Sequence, residues 1–270
     1  VDEVDYKDSA PWPVAADGTG AALQRISLAA YADDPANWVA AAPLTIKVLR
    51  ARGVEVPLDP PLVTGGGSVT AASLVLIDLE AEDGTSGHAW LFAYTPLALP
   101  ALVTMVRSLE PVVVGAPLSP VALAERLQAR FRLLGTQGIV GQALSGIDMA
   151  AWDALARVQG LPLARLLGGE PVPVPAYLSL RSVRPDDLAR EAAAAVEAGF
   201  RYVKLRLGVG DHAADLAQLA AVRQAVGEGA RLLADYNQSQ SVPDAIRRIW
   251  AFDELDLVWI EEPTRAEDIE

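Results

Sequence analysis

The sequence predicts an α/β protein, and three observations predict it. Beyond about residue 170, strand-like and helix-like segments alternate with a period of about 25 to 30 residues, the size of a βα unit. Between residues 45 and 168, strands come first and helices follow, the order of an α+β domain. Residues 1–43 differ from both, being acidic and punctuated by proline and glycine. A chain of 270 residues, 51% of them hydrophobic, has enough apolar surface for one large or two medium domains.

Each stretch follows from its residues. In 1–43, seven acidic side chains face only Lys7 and Arg25, which reads as an acidic, β-rich extension. "TIKVLRARGVEVPL" (45–58) and "ASLVLIDLEAEDGTSGHAWLFAY" (72–94) are rich in β-formers and flank the glycine-rich "VTGGGSV" (63–69), which predicts an antiparallel meander with a flexible connector. Helices are expected over "PALVTMVRSLEPVVVG", over "SPVALAERLQARFRLLG" with Ser119 as N-cap and Pro120 at the first helical position, and over "ALSGIDMAAWDALARVQG". From 173 onward "PVPAYLSL", "YVKLRLG" and "RLLADYN" each precede a helical pattern, and "LVWIEEP" (257–263) is a fourth strand. The outcome expected of such repeats is a parallel sheet or barrel.

Composition removes several functions. A formal charge of -13 repels nucleic acid and anionic membrane surfaces, and no basic patch overrides it. Without cysteine there is no disulfide, thiolate metal site or cysteine nucleophile. The first residues lack an apolar signal core, and no run of about 18 apolar residues occurs. A cytoplasmic protein acting on a small molecule is the expectation. "GVG" at 208–210 and "VTGGGSV" lack the glycine and lysine of a phosphate cradle.

In "FRYVKLRLG" (200–208), alternation turns Lys204 and Arg206 to one face and Val203, Leu205 and Leu207 to the other. A solvated edge strand is one explanation. The neighbouring strands suggest another, because polar residues stand at all the carboxyl ends, where α/β proteins gather their sites. Asp235 and Asn237 end the third repeat strand, and Glu261 and Glu262 the fourth. Asp235 and Glu261 are hard oxygen donors suited to Mg²⁺, with the two cations facing a developing anion.

"SLVLIDLEAEDGTSGHAWLFAYTP", "SGIDMAAWDAL", "FRYVKLRLG", "ADYNQSQSVPDAIRR" and "VWIEEPT" resemble, in order and spacing, segments of the enolase superfamily, specifically the mandelate racemase/muconate lactonising enzyme group and its mandelate racemase branch. The resemblance covers about residues 45–270. It implies an α+β capping domain (44–168) before a (β/α)8 barrel, of which residues 169–270 hold about four of eight strands. It also implies Mg²⁺, and abstraction of the proton α to the carboxylate of a 2-hydroxy acid through a stabilised enediolate, by a racemase or an acid-sugar dehydratase. It places Asp235 and Glu261 as metal ligands, Lys204 and Arg206 as catalytic, and Asn237, Tyr94 and Ser179 near substrate. The structural alternatives are a core aromatic for Tyr94, a helix-entry polar residue for Ser179 and a hairpin connector for Gly65 to Gly67. Residues 1–43 resemble the end of a bacterial lamin-tail domain.

Two departures from the family pattern matter. The second lysine of its Lys-x-Lys pair is here Arg206, which is always protonated and a poor base. The third metal ligand and the His/Asp dyad come from later strands in the family, and neither His88 nor His212 matches them by motif. The catalytic set is thus expected to be incomplete, with a homo-oligomer or a missing C-terminal half completing it. The alternative is a catalytically inactive remnant acting as a structural or interaction module.

Overall fold

A computed structural model describes residues 12, 23–25, 34–40, 44–64, 67–252 and 255–268. Its contacts divide the chain into two compact units, one of Val1–Val56 with Ala72–Pro171 and one of Pro57–Ala71 with Val172–Glu270. The fold is mixed α/β. The lamin-tail-like reading rests on segments that lie largely outside the described residues. Within them, β1 (Leu23–Arg25) and β2 (Trp38–Ala40) form an antiparallel pair.

β3 (Ile46–Thr64), β4 (Gly67–Ala81) and β5 (Ser86–Phe92) form a sheet in sequence order, the expected meander, of which the stretch Pro57–Ala71 belongs to the second unit and the remainder to the first. Gly65 and Gly66, in the expected connector, lie outside the described residues. The 72–94 stretch resolves into two strands. The chain reverses at 82–85, where Gly84 takes φ +87 and the Asp83 carboxylate accepts from the Thr85 amide at 2.8 Å. β4 alternates strictly, so that Val75, Ile77, Leu79 and Ala81 are buried. They pack with α1 (Leu99–Ser108), through Leu102 and Val106, and with α4 (Ile139–Val158), through Ala143, Ile147, Ala150 and Ala154. Each buried leucine or isoleucine contributes about 1.5–3 kcal/mol.

Between those helices lie α2 (Glu110–Val113) and α3 (Pro120–Arg130), and after them α5 (Leu163–Leu166). Ser119 takes the N-cap position of α3 and Pro120 the first helical one, but the Ser119 hydroxyl makes no capping bond. Small residues on α4 allow a very close approach to the sheet. A Cβ at position 87 would lie 2.0 Å from the Ala150 carbonyl oxygen and 2.4 Å from the Ala154 nitrogen. Gly87→Ala is therefore expected to destabilise the protein by about 1–3 kcal/mol through overpacking, read from the midpoint of urea unfolding. An unchanged midpoint would contradict the approach.

In the second unit, β6 (Tyr177–Ser179), β7 (Tyr202–Arg206), β8 (Arg231–Asp235) and β9 (Leu257–Glu261) form an all-parallel sheet in sequence order. The crossovers are α6 (Pro185–Glu197), α7 (His212–Val226) and α8 (Val242–Ala251). The Asp211 carboxylate caps α7 by accepting from the Ala214 amide, and the Ser241 hydroxyl caps α8 by accepting from the Asp244 amide. One sheet face, with Leu180, Val203, Leu205, Leu207, Leu232, Ala234 and Tyr236, is buried with Leu188, Ala192 and Ala195 of α6 and Leu219 and Val222 of α7. That packing fixes which residues occupy the opposite face. No helix among the described residues is long and apolar enough to cross a membrane.

Candidate metal and substrate site at the strand ends

Because β7 sends Val203, Leu205 and Leu207 to the helices, it sends Lys204 and Arg206 to the other face. The parallel register then aligns the carboxyl ends, with Ser179 opposite Lys204, Arg206 opposite Asp235, and Asp235 opposite Glu261. These residues meet for a simple reason: they occupy equivalent alternation positions on adjacent strands. Lys204 is 8% exposed and Asp235 3%.

Lys204 Nζ donates to Asp235 Oδ2 at 2.8 Å and to Glu261 Oε1 at 2.6 Å. Burial works against its ammonium, but the bonds and charges of the two carboxylates outweigh burial and raise its pKa. The Asp235 carboxylate is held from the other side as well. Asn237 donates to Asp235 Oδ1 from both its backbone N and its Nδ2, each at 2.8 Å. To do so Asn237 takes φ +46, and Gln238 and Glu262 also adopt left-handed backbone at φ +60 and +46. Non-glycine residues held there carry strain of the kind that gathers at functional sites.

Arg206 is oriented differently. Its Nη1 donates to the Leu180 carbonyl at 2.6 Å and its Nη2 to Ser179 Oγ at 3.2 Å. Burial lowers its pKa and so does the Arg181 charge, against the opposing influence of Asp235 and Glu191. It remains a cation at neutral pH.

The donor chemistry fits a hard divalent ion. Mg²⁺ characteristically takes one or two carboxylates and keeps waters for its other positions, and Asp235 and Glu261 already share one cation, the Lys204 ammonium. Asn237 Oδ1 adds a buried oxygen acceptor with no hydrogen-bond partner. Among the described residues no group of three or more His, Cys, Asp or Glu side chains converges.

Lys204, Asp235, Glu261 and Asn237 thus cluster, with Arg206 and Ser179 linked beside them. Tyr94 belongs to the first unit, where it is exposed, takes φ +60 and lies 4.7 Å from the Phe92 ring between centroids. Two residues of the cluster were not singled out from the sequence. Lys204 Nζ lies 5.5 Å from the centre of the Tyr177 ring, a cation–π distance. Trp259 Nε1 donates to Glu261 Oε2 at 2.7 Å, and its ring meets Tyr177 edge-on at 5.7 Å. Each stands two positions before a strand-end residue, Ser179 and Glu261, and alternation alone would have found them.

Comparison with known proteins follows the same segments. Residues 46–168 match the family described as mandelate racemase/muconate lactonizing enzyme, N-terminal domain. Residues 187–270 match that described as enolase C-terminal domain-like. An L-talarate/galactarate dehydratase from Salmonella typhimurium is 37% identical over 140 residues, covering 51% of this chain and 35% of its own length. A hydrophobic dipeptide epimerase from Enterococcus faecalis is 26% identical over 231 residues, covering 84% and 63%. A crystal structure of an enolase from Bradyrhizobium complexed with magnesium and mandelic acid superposes with a TM-score of 0.79 at 42% identity, covering 84% of this chain and 63% of that one. The chain spans less than two thirds of the length of each.

Proposed function

Because the chain belongs to the mandelate racemase/muconate lactonising enzyme group of the enolase superfamily, we propose that it carries a Mg²⁺-dependent site for removing the proton α to the carboxylate of a 2-hydroxy acid. The observation that supports this reading best is the convergence of Lys204 Nζ on Asp235 and Glu261 at 2.8 and 2.6 Å. The four parallel strands are read as part of a (β/α)8 barrel whose mouth is this face.

In this reading Asp235 and Glu261 hold Mg²⁺. The ion, when bound, supplies positive charge that stabilises the negative charge developing on the substrate carboxylate. Lys204 remains protonated and donates to a carboxylate oxygen, adding a second positive charge where the anion grows. Asn237 keeps the Asp235 carboxylate aimed, through its two bonds to Oδ1. Tyr177 and Trp259, themselves exposed, form an aromatic side to the cluster, Tyr177 at cation–π distance from Lys204 and Trp259 donating to Glu261 Oε2.

Arg206 does not act as the proton acceptor. A guanidinium already bonded to Leu180 O and Ser179 Oγ has no lone pair to receive a proton. Neither histidine stands on this face: His88 bonds Asp78 in the first unit, and His212 begins α7 beside Phe252. The acceptor is therefore a group other than these three, and Arg206 leaves β7 without the second of two opposed bases. That favours one-base chemistry, such as dehydration of an acid sugar, over two-base racemisation.

Calorimetric titration with Mg²⁺ tests the site. Saturable binding that disappears in both Asp235→Asn and Glu261→Gln is the expected result, accompanied by α-proton exchange of bound hydroxy acid in D₂O when the full catalytic set is assembled. Binding that survives both substitutions would place the metal elsewhere.

A further inference from the structure

We propose that the first unit holds a second ligand site, a cleft between α3 and α4 that takes a primary alkylammonium group. None of its residues serves the chemistry proposed above. The cleft has a volume of about 300 Å³, at the small end of ligand pockets, and is lined by Ala124, Gln128, Thr136, Leu144, Ser145 and Asp148. Its construction follows from how the two helices pack. Leu123 and Leu127 turn one face of α3 into the core, and Ala143, Ile147 and Ala150 do the same for α4. That leaves Ala124 with Gln128, and Ser145 with Asp148, along the flanks, each pair one helical turn apart. Gly141 lets the chain before α4 come close, since a Cβ there would lie 2.2 Å from the Thr136 carbonyl oxygen.

What the cleft presents to a ligand is acceptors. The Ser145 hydroxyl donates its hydrogen to the Gly141 carbonyl at 2.8 Å, so only its lone pairs remain for a ligand. Asp148 is half-buried, and its side-chain partner is the neutral Trp152. Every other buried or half-buried carboxylate among the described residues has a basic side chain at ion-pair distance or, in Glu191, accepts from two amides and a hydroxyl. Burial pushes the Asp148 carboxyl up, against the Trp152 bond. A cation held beside the carboxylate offsets that desolvation. An ammonium is the matching group, with three donors and no acceptor, and Ala124 and Leu144 offer apolar surface to its alkyl stem. An anion would meet two groups that only accept. At a net charge of -13 the whole chain draws cations toward it.

Titration of the isotope-labelled chain with n-butylammonium, followed by NMR at constant ionic strength, tests the site. The backbone amide resonances of Ser145 and Asp148 are expected to move saturably. Sodium, and 1-butanol, which has the stem without the charge, are expected to leave them in place. Tetramethylammonium, which has the charge without an N–H, is expected to bind at least about tenfold more weakly, as is n-butylammonium to Asp148→Asn. Ser145→Ala, at an exposed position, is expected to weaken binding by a smaller factor and decides the matter if Asp148→Asn does not fold. Nα-acetyl-lysine-N-methylamide separates the sources of the group: equal affinity supports a site for a lysine side chain, and weaker binding one for a free amine. Resonances that do not move, an equal response to sodium, tetramethylammonium or butanol, or an affinity unchanged in the variants overturns the proposal.

Discussion

Lys204→Met is expected to lower the unfolding free energy by about 3–5 kcal/mol in the absence of divalent cation, because it leaves the buried Asp235 beside Glu261 with no positive charge between them. The direction follows from which partner is removed. The lysine repays the desolvation of two acids, and methionine keeps its length and its packing against Tyr177 but none of its charge. The same substitution is expected to strengthen Mg²⁺ binding, since the ammonium and the metal compete for the same carboxylate oxygens, while abolishing any proton exchange. Chemical unfolding with and without Mg²⁺ reads both effects. A variant as stable as the parent, with unchanged metal affinity, would show that the three groups do not act as a unit.

Asp215→Asn is expected to cost a comparable amount, about 3–5 kcal/mol, at a position the proposed chemistry does not touch. Asp215 is 1% exposed on α7 and ties four segments together. It accepts from the Gly208 amide at 2.9 Å, from the Tyr236 hydroxyl at 3.0 Å, and from Arg248 of α8 in an ion pair. Gly208 follows Arg206 closely and Tyr236 follows Asp235, so this carboxylate sits behind the sheet and fixes the exits of β7 and β8. Burial, and then the Asp215 charge, raise the Tyr236 pKa above its ordinary value of about 10. Because the folded value is the higher one, the associated stability is complete below about pH 10 and is lost as pH rises toward the folded value. Tyr236→Phe is expected to lose about 1 kcal/mol at neutral pH and to flatten that alkaline decline. An alkaline limb identical to the parent's would assign the pH dependence to other groups.

The site was legible from the sequence to the extent that alternation governs it. Lys204 and Arg206 lie on one face because Val203, Leu205 and Leu207 must lie on the other, and the strand ends of the βα repeat placed Asp235, Asn237 and Glu261 beside them. What alternation cannot supply is pairing across strands. The Lys204 bridge to two carboxylates depends on the parallel register of β7, β8 and β9, and the Asp215 network depends on how α7 and α8 pack behind them. Tyr177 and Trp259 were within reach of the same alternation, which shows their shared face but not that their rings meet edge-on at 5.7 Å. The reversal at 82–85 was passed over because residues 72–94 carry β-formers on both sides of a short polar interval. Nothing in composition assigns Pro57–Ala71 to the second unit, since that depends on contacts more than a hundred residues away in sequence, among them Arg181 donating to the Pro60 carbonyl.

That assignment has a consequence for how the protein is made. The arm Pro57–Ala71 leaves the ribosome roughly a hundred residues ahead of Val172, where the rest of its unit begins. At roughly 5–20 residues per second the delay is on the order of 5–20 s, and through it the nascent arm, whose β3 and β4 portions are sheet neighbours, lacks the rest of its unit. Pro57, Pro60 and Pro61 stand on it. Proline has no amide hydrogen to donate, so each interrupts the ladder that a stray strand from a neighbouring nascent chain would need. The three prolines keep the arm available for its own late-arriving half.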